Sequence, residues 1–475
     1  MDPISFGTDG WRGVMARDFV FDRVRLVAAA VAEYIQAENM APRGVVVGYD
    51  RRFLSEHFAR AVAEVLAGRG VPVFLPAAAV PTPVTAFAVR HLEAAGAVMI
   101  TASHNPPEYN GIKFIPEYAG PALPDVTQAI EDRIRRLAGG FVPGEGDLDL
   151  ATAAGRGLVR DLDVKETYLD HLGGLVDLSA VAGAGRPIVV DSLYGAGAGY
   201  LESALHRAGV RTETLHGGRD PLFGGHLPDP TEAFLGPLAE RVTAAGALVG
   251  LALDGDADRF GLVDADGTFI APNAFLPLLY RYLLVEKGMR GPAARSVATT
   301  HLLDRVAARY GETVLETPVG FKYIGRNLRE RGCILGGEES GGLTVQGHVP
   351  EKDGILAGLL AAEMVARTGH SLGELSRLLA AEVGGLVSAR VDVHVAAAEK
   401  ERVLKRLAAY RPDRLAGMAV VDTATLDGVR FLREDGSWVL VRASGTEPLF
   451  RLYAEAASES GLAALTGEVR GFLHL

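Results

Sequence analysis

Short apolar runs alternate with longer stretches of mixed apolar and polar periodicity between residues 45 and 342. Runs of this length predict β-strands, and the stretches between them predict amphipathic helices. The order strand, helix, strand, helix, strand occurs three times. The predicted elements are 45–50, 53–68, 71–75, 82–94 and 97–100 in the first unit, 188–191, 198–208, 210–215, 231–244 and 248–253 in the second, and 296–299, 302–310, 313–316, 321–330 and 334–335 in the third. Alternating strands and helices indicate α/β domains with mixed, mostly parallel sheets that helices cover on both faces.

Each predicted third strand runs into a polar loop, at 101–106, 254–259 and 336–342. Ligands of open α/β sheets bind beyond the carboxyl ends of the strands, and all three loops lie at that end. We therefore expect three similar α/β domains whose loops face a central cleft.

The last part of the chain has a different pattern. Strands are predicted at 388–395, 418–423, 428–433, 438–442 and 449–454, with helices at 396–410 and 458–473. This order indicates a C-terminal α+β domain with an antiparallel sheet, whose most polar loop is 442–448. The predicted domains are 1–160, 161–265, 266–382 and 383–475.

A chain of 475 residues is too long for a single hydrophobic core. The formal net charge of −11 argues against a nucleic-acid or membrane-surface binder, although it allows a small anionic substrate. Cys333 is the single cysteine, which excludes an intrachain disulfide and a cysteine-based zinc site. The apolar stretch 354–365 contains Glu363 and predicts a buried helix rather than a membrane span. Because the first residues do not resemble a signal peptide, we expect a cytoplasmic protein.

Three carboxylates, Asp254, Asp256 and Asp258, occupy alternate positions directly after the third strand of the second unit. Closely spaced carboxylate oxygens are typical ligands of a hard divalent cation such as Mg²⁺ or Ca²⁺. An EF-hand is excluded, because the positions that need Gly and Glu hold Arg259 and Ala265. A solvated acidic turn is the alternative, but three crowded carboxylates repel one another without a cation. We therefore predict a metal site.

Ser103 follows the third strand of the first unit, in the segment Thr-Ala-Ser-His-Asn-Pro at 101–106. The segment lacks the flanking glycines of a serine hydrolase elbow, and a serine in such a turn is often only a helix cap. The metal loop elsewhere in the chain changes this interpretation, because a cation can neutralise a phosphate that is carried on the serine.

Two further loops contain groups suited to a sugar phosphate. The loop Arg-Ala-Ser-Gly-Thr at 442–446 combines a guanidinium, hydroxyls and flexible backbone N–H groups, which suit a phosphate. The loop Gly-Gly-Glu-Glu-Ser-Gly-Gly at 336–342 offers carboxylates and a hydroxyl that suit sugar hydroxyls. Taken alone, the first loop is a weak signal, because many turns between strands contain Ser-Gly-Thr. The second loop, taken alone, is better interpreted as a surface turn.

The four loops, in this order, resemble those of the α-D-phosphohexomutases, which include phosphoglucomutase, phosphomannomutase and phosphoglucosamine mutase. The resemblance runs from Phe-Gly-Thr-Asp-Gly-Trp-Arg-Gly at 6–13 to Arg-Ala-Ser-Gly-Thr-Glu-Pro at 442–448, nearly the whole chain. It implies three similar α/β domains and a smaller fourth domain, in agreement with the repeat. It also implies transfer of phosphate between the 1- and 6-positions of a hexose, through a phosphoserine and a hexose 1,6-bisphosphate that also serves as activator.

The resemblance implies a role for each candidate residue. Ser103 would carry the phosphate with His104 beside it, and a phosphoserine oxygen would complete an Mg²⁺ site formed by the three aspartates. Arg12 and Lys113 match positions of proton transfer or phosphate contact, and Arg259 and Lys322 match cleft positions. The implied substrate-binding residues are Glu338 and Ser340 for the sugar hydroxyls, and Arg442, Ser444, Gly445 and Thr446 for the non-reacting phosphate.

The resemblance also bears on the sugar. Gly342 stands where many dual-specificity and glucosamine enzymes of the family have His, and Glu-Glu-Ser at 338–340 is similar to phosphoglucomutases. This favours glucose phosphates, with mannose phosphates as a second substrate. Phosphomannomutase and phosphoglucosamine mutase are the alternatives within the family, and a metal-dependent sugar phosphatase or a non-catalytic sugar-phosphate sensor are those outside it. The expected partners are small hexose phosphates without nucleic acid or membrane, and the expected assembly is a monomer or a homodimer.

Overall fold

The fold is built from four sheets that follow one another along the chain. A computed structural model describes residues 3–7, 9–443 and 449–474. In these residues, three sheets contain both parallel and antiparallel strands, and the fourth is antiparallel throughout.

The strands of the first sheet are β1 (Trp11–Val14), β2 (Val45–Tyr49), β3 (Val73–Leu75), β4 (Gly96–Ile100), β5 (Tyr109–Pro116) and β6 (Val159–Asp161). The accompanying helices are α1 (Phe21–Ala37), α2 (Ser55–Gly68), α3 (Thr82–His91), α4 (Pro124–Leu137) and α5 (Leu150–Gly155). The strand order is β1-β5-β4-β2-β3-β6. Strand β2 is parallel to β3 and β4, whereas β5 runs antiparallel to both β4 and β1.

The strands of the second sheet are β7 (Ile188–Asp191), β8 (Thr212–Leu215), β9 (Gly250–Leu253), β10 (Phe260–Val263) and β11 (Phe269–Ile270). The helices around it are α6 (Lys165–Leu175), α7 (Leu178–Gly183), α8 (Tyr200–Arg207) and α9 (Gly236–Ala245). The order is β11-β10-β9-β7-β8, with β7 parallel to β8 and β9 and with β10 antiparallel to β9.

The strands of the third sheet are β12 (Ala293–Ser296), β13 (Val314–Thr317), β14 (Leu335–Gly337) and β15 (Leu343–Val345). The helices are α10 (Pro272–Val285), α11 (Leu302–Arg309), α12 (Phe321–Arg331), α13 (Gly354–Thr368) and α14 (Leu372–Val383). The order is β13-β12-β14-β15, and β15 is antiparallel to β14.

The strands of the C-terminal sheet are β16 (Val387–His394), β17 (Arg414–Leu415), β18 (Met418–Ala424), β19 (Val429–Arg433), β20 (Trp438–Ala443) and β21 (Leu449–Ala456). Helices α15 (Ala397–Ala409) and α16 (Glu459–Leu473) accompany it. The order is β16-β21-β20-β19-β18-β17. The predicted threefold α/β repeat and the antiparallel C-terminal unit are therefore confirmed. The predicted domain boundaries stay a prediction, and β11 joins the second sheet although it lies beyond the boundary placed at 265.

In each of the three α/β domains, the polar loop is followed by a strand that the sequence pattern did not predict. Strands β5, β10 and β15 return antiparallel to β4, β9 and β14, so that each polar loop is the tip of a hairpin. In β5, Asn110 and Lys113 are buried polar residues whose partners come from distant segments. Such positions break the apolar pattern by which a buried strand is predicted.

Strand β12 lies at Ala293–Ser296, three residues before the start of the strand predicted at 296–299. Arg295 lies inside it, and a charged residue breaks the apolar pattern by which a buried strand is predicted. The structure compensates its charge with Asp304 and Glu316, each at 2.8 Å. The burial of Arg295 therefore depends on two elements, α11 and β13, that follow it in the chain.

The apolar segment 354–365 forms part of the buried helix α13, as predicted. The helix contacts β9, β10 and β15, and thus joins the second and third sheets. Its buried Glu363 lies 2.9 Å from Lys287. Among the residues that the structure describes, no helix combines the length and the apolar character that crossing a membrane requires.

Candidate active site

Ser103 lies in the loop between β4 and β5, at the carboxyl end of the parallel strands of the first sheet. Its backbone has a φ of 52°, in the left-handed region, and its N–H donates to Thr101 Oγ1 at 2.9 Å. The residue is buried, and its hydroxyl donates to Asp254 Oδ2 at 2.7 Å and lies 3.2 Å from His104 Nδ1. The serine of the first domain therefore lies directly against the carboxylate loop of the second.

Asp254, Asp256 and Asp258 lie in the turn between β9 and β10 and are buried. One carboxylate oxygen of each lies within 4.8 Å of the others. Gly255 permits the approach to Ser103, because a Cβ at this position would lie 2.5 Å from the Ser103 carbonyl oxygen. Burial and the charges of Asp256 and Asp258 hold the pKa of Asp254 well above its usual range. A cation would relieve this crowding of carboxylates.

The donor atoms of the trio fit a hard divalent cation. Asp254 uses both oxygens within the protein, because Oδ1 accepts from the Arg259 N–H at 3.0 Å and Oδ2 accepts from Ser103. By contrast, Asp256 Oδ1 and Asp258 Oδ1 are buried and accept no hydrogen bond from the residues that the structure describes. Buried carboxylate oxygens without a partner are costly, and oxygen ligands of this kind suit Mg²⁺ or Ca²⁺. The trio is therefore able to bind a metal ion.

Two buried lysines lie beside the aspartates. Lys113 Nζ is 2.9 Å from Asp9 Oδ2, 2.9 Å from Asp256 Oδ2 and 3.0 Å from Asp258 Oδ2. Lys352 Nζ is 3.2 Å from Asp258 Oδ2 and 3.3 Å from Asp9 Oδ2. Burial disfavours a charged lysine, but the surrounding carboxylates outweigh it and raise the pKa of both lysines. Both side chains therefore contribute positive charge to the site.

His104 lies next to the Ser103 hydroxyl, and Arg12 contacts the same loop. Arg12 extends from β1 and donates from Nη1 to Asn105 Oδ1 in the Ser103 loop. Burial, together with the charges of Arg259 and Arg12, holds the pKa of His104 well below its usual range. The imidazole is therefore neutral near pH 7, and its Nδ1 lies within hydrogen-bond distance of the serine oxygen.

The third polar loop, between β14 and β15, contacts the aspartate loop through its backbone. Arg259 forms an antiparallel bridge with Gly342, and the Phe260 N–H donates to Gly341 O at 3.1 Å. A Cβ at Gly342 would lie 2.4 Å from Lys352 Cδ. The aliphatic part of Lys352 therefore passes over Gly342 before its ammonium reaches the aspartates.

Glu338 and Ser340 belong to the same loop. Glu338 is buried, and its Oε1 accepts from the Gly320 N–H at 2.9 Å. Burial and the neighbouring charge of Glu339 raise the pKa of Glu338 to about 7. Ser340 and Lys322 are half-buried, and burial lowers the pKa of Lys322.

Arg442 lies at the end of β20, where the fourth polar loop begins. Its Nε is 2.9 Å from Asp427 Oδ2, and the same carboxylate oxygen accepts from the Val319 N–H at 3.0 Å. Asp427 therefore connects the C-terminal sheet to the loop that precedes α12. The other predicted residues of the phosphate clamp lie outside the described residues: Ser444, Gly445 and Thr446.

The structure brings Ser103, His104, Lys113 and the three aspartates into one buried cluster, while their chemical roles stay predictions. Sequence analysis did not name Asp9, Glu351, Lys352 or Asp427. Asp9 lies within the motif at 6–13, and its place in that motif was a signal that could have identified it. The signal for Lys352 was the charged segment Glu-Lys-Asp directly before an apolar helix. Asp427 gave no such signal, because its importance depends on contacts with another domain.

Four family models match successive parts of the chain. They are described as phosphoglucomutase/phosphomannomutase alpha/beta/alpha domain I at residues 3–139, domain II at 166–267, domain III at 271–382 and the C-terminal domain at 391–471. The order of the models is the order of the four sheets.

The relatives of this chain are named for different sugar substrates. A phosphoglucomutase/phosphomannomutase of Thermococcus kodakarensis is 33% identical, with 96% of this chain and 95% of the relative covered. A phosphoglucosamine mutase of Clavibacter sepedonicus is 34% identical, with 96% of each covered. A phosphoglucomutase of Komagataeibacter xylinus is 30% identical over 95% of this chain and 87% of the relative.

Solved structures agree with this family. A Thermus thermophilus protein named as a candidate phosphomannomutase has a TM-score of 0.85 at 38% identity, with all of both chains covered. A phosphoglucomutase/phosphomannomutase family protein of Burkholderia thailandensis has a TM-score of 0.82 at 26% identity, covering 100% of this chain and 98% of the other. From the matched domains and these full-length likenesses, the chain belongs to the phosphoglucomutase/phosphomannomutase family, the α-D-phosphohexomutases.

Proposed function

We propose that the chain is a phosphoglucomutase that interconverts glucose 1-phosphate and glucose 6-phosphate and also accepts mannose phosphates. The main support is the contact of the buried Ser103 hydroxyl with Asp254, within a carboxylate trio that fits a divalent cation. A serine in this position is able to carry a phosphoryl group whose charge the cation would balance. We assign Mg²⁺ to the trio and a hexose 1,6-bisphosphate to the role of intermediate and activator.

In the first proposed transfer, the Oγ–P bond of phosphorylated Ser103 breaks, and the free hydroxyl of a hexose monophosphate forms the new P–O bond. Bound Mg²⁺ would neutralise charge on the transferring group. The sugar hydroxyl passes its proton to a carboxylate of the cluster around Lys113 and Lys352, because both lysines are already protonated. His104, which is protonated while Ser103 carries the phosphate, returns its proton to Ser103 Oγ. The products are a hexose 1,6-bisphosphate and a free serine.

In the second proposed transfer, the bisphosphate has turned over within the cleft and presents its other phosphate to Ser103. The serine oxygen forms a bond to this phosphorus as its proton moves to the neutral His104, whose Nδ1 lies 3.2 Å from Oγ. The sugar oxygen that leaves phosphorus takes its proton back from the carboxyl group of that cluster. The serine is phosphorylated again, and the two transfers together neither release nor consume a proton.

The remaining residues are proposed to bind the substrate in both orientations. Arg442, with the loop 444–446, holds the phosphate that is not reacting, because its donors recognise phosphate without contacting the sugar ring. Glu338 and Ser340 bind sugar hydroxyls. Arg12, Arg259 and Lys322 contribute positive charge near the reacting phosphate. One clamp thereby serves both halves of the cycle.

Phosphoglucosamine mutase is the second candidate function, because the relative from Clavibacter sepedonicus has that name. The support for glucose comes from the sugar-binding loop. There, Gly342 leaves room for the Lys352 side chain. The sequence Glu-Glu-Ser at 338–340 also resembles the corresponding loop of phosphoglucomutases. A sugar phosphatase is less consistent with loops from several domains that enclose the reacting phosphate, since such enclosure excludes water.

The decisive experiment compares the 1-phosphates of glucose, mannose and glucosamine, each with Mg²⁺ and its 1,6-bisphosphate as activator. We expect the highest kcat/KM for glucose 1-phosphate, a lower value for mannose 1-phosphate and the lowest for glucosamine 1-phosphate. The highest value for glucosamine 1-phosphate would favour the second candidate. Release of inorganic phosphate in place of the isomer would show a phosphatase.

A further inference from the structure

Arg52 follows β2 closely and is fully buried, with 0% of its surface exposed. Its guanidinium donates to four backbone carbonyls of the loop that contains Ser103. Nη1 donates to Pro106 O at 2.7 Å and to Tyr109 O at 3.1 Å. Nη2 donates to Ser103 O at 2.7 Å and to Asn105 O at 2.6 Å. One side chain thus contacts the loop from the serine to the start of β5.

Contacts on its other sides fix the orientation of Arg52. Its Nε lies 3.3 Å from Asp50 Oδ2, and Asp50 Oδ1 accepts from Ser55 Oγ at 2.7 Å. The ring of Phe223, from the second domain, lies 5.0 Å from the guanidinium carbon. The four hydrogen bonds use the donors of Nη1 and Nη2, and Asp50 balances the charge, which together make a buried guanidinium tolerable. Lysine has the same charge but lacks the planar arrangement of five donors.

The loop that Arg52 holds contains Ser103, and the position of its backbone determines where the serine hydroxyl lies. Ser103 has a left-handed backbone conformation, with a φ of 52°. Residues other than glycine adopt this conformation only at a cost in free energy. Its carbonyl oxygen is held by Arg52 on one side and lies close to Gly255 on the other. The place of Ser103 Oγ relative to Asp254 therefore follows from how this backbone is held.

We propose that Arg52 is a positioning residue for phosphoryl transfer, which holds the Ser103 loop so that Oγ is in line with the phosphorus of the substrate. This role rests on the proposed mutase function. The Arg52 guanidinium donates its hydrogen bonds to loop carbonyls and lies against Asp50 and Phe223, so we expect it to act through the serine rather than through the sugar. Its loss should slow the chemical step and leave substrate binding unchanged.

The test measures kcat and KM for glucose 1-phosphate in Arg52→Lys and Arg52→Gln. We expect kcat to fall about a hundredfold, the effect of a displacement on the order of 1 Å between reacting groups, with KM unchanged. The rate at which glucose 1,6-bisphosphate phosphorylates Ser103, followed by intact-protein mass spectrometry, should fall by the same factor. Arg52→Lys should not restore the rate, because the role requires the donor geometry and not the charge alone.

Arg433 offers a matched control. It is also a buried arginine, and it donates to Ser437 Oγ at 2.6 Å and Leu415 O at 3.1 Å within the C-terminal domain. Arg433→Lys should lower Tm but leave kcat near the wild-type value. Equal losses of kcat in Arg52→Lys and Arg433→Lys would show a general effect on folding and would overturn the positioning role.

Asp50→Asn provides a second variant if the Arg52 variants do not fold. It keeps the guanidinium but weakens its orientation, so kcat should fall by a smaller factor with the same unchanged KM. Wild-type kcat in folded Arg52→Lys, or in Asp50→Asn if that variant alone folds, would overturn the positioning role while leaving the mutase function intact. Absence of turnover and of serine phosphorylation in wild type would instead overturn the proposed function, and this role with it.

Discussion

The Ser103 side and the Arg442 side of the site are built in different ways. On the Ser103 side, the groups are buried and the backbones of two domains touch, as in the hydrogen bond from the Thr82 N–H to Asp256 O at 2.9 Å. On the Arg442 side, the guanidinium is partly exposed, and Asp427 connects it to Val319 of the third α/β domain. In the proposed mechanism, transfer requires reacting atoms held in place, whereas the non-reacting phosphate leaves and rebinds between the two transfers. For this mechanism we therefore expect a rigid side for chemistry, around Ser103, and an adaptable side for binding, around Arg442.

The largest effect should come from Ser103→Ala, which removes the oxygen that carries the phosphoryl group. Turnover should fall by about four to six orders of magnitude, as expected when a nucleophile is lost. The Kd for glucose 1-phosphate should stay close to the wild-type value, because the adaptable side is intact. Intact-protein mass spectrometry should find a phosphate in wild type treated with glucose 1,6-bisphosphate and none in the variant. Near-normal mutase activity in Ser103→Ala would contradict the proposed mechanism.

The next effect should come from Asp256→Asn, which removes one charge from the carboxylate trio. A bound metal contributes several kcal/mol to charge stabilisation, so kcat should fall by about two orders of magnitude and the Mg²⁺ requirement should move to higher concentration. Chelation with EDTA should abolish wild-type activity, and added Mg²⁺ should restore it.

Asp264→Asn is the matched control for the metal prediction. Asp264 is a buried carboxylate of the same domain that accepts from Leu372 N–H and Gly373 N–H at the start of α14. Its loss should reduce Tm without changing the Mg²⁺ dependence. Full activity of exhaustively chelated wild type would show that the trio does not need a metal.

A smaller effect is expected on the adaptable side, from Arg442→Ala. Loss of a charge-assisted hydrogen bond costs about 1.5–3 kcal/mol, so Kd should rise by roughly one to two orders of magnitude. Because one clamp serves both orientations, Kd should rise by similar factors for glucose 1-phosphate and glucose 6-phosphate. Calorimetry in the Ser103→Ala background measures both without turnover. A rise for one of the two sugars alone would mean that each orientation has its own phosphate site.

The smallest effect concerns pH. The pKa of Glu338 is raised to about 7, so its carboxyl group is neutral below that pH and ionised above it. In its proposed role, the ionised form is the better acceptor of hydrogen bonds from sugar hydroxyls. We expect kcat/KM for glucose 1-phosphate to rise with pH up to about 7 and then level off. Glu338→Gln should remove this rise. Comparison with wild type on the same sugar cancels the titration of the substrate phosphate, whose second pKa is about 6.

Glu339→Gln tests the cause of the raised pKa. Removing this neighbouring charge should lower the pKa of Glu338 and move the rise in kcat/KM to lower pH. Burial also raises the pKa of Glu351 to about 7. A rise that persists unchanged in Glu338→Gln would assign the titration to Glu351 and not to the sugar-binding loop.

The features that sequence analysis predicted well are local in the chain. Ser103 and the aspartates were identified because each follows an apolar run directly and lies in a short motif with distinctive chemistry. The threefold repeat was visible for the same reason, since strand, helix and loop recur in a fixed order. These signals depend on neighbours within a few residues.

The features that sequence analysis missed depend on residues far apart in the chain. Lys352 and Asp9 are separated by 343 positions, and neither local sequence indicates that an ion pair forms. Arg52 follows a strand, and an arginine at such a position is usually exposed, yet tertiary contacts bury it. The sequence pattern reports the preferences of single elements, whereas buried charges are permitted by partners that the fold supplies.

The close approach of Gly255 to the Ser103 carbonyl has a consequence for mutational tolerance. A methyl group at residue 255 would meet a backbone oxygen at 2.5 Å, and that oxygen is held in place from the other side by Arg52. In a saturation library selected for activity, position 255 should therefore be as intolerant as the serine itself, although glycine contributes no reactive atom. Such a scan would show a loss of function at a residue that takes no part in the reaction, because the structure has no room there for a Cβ atom.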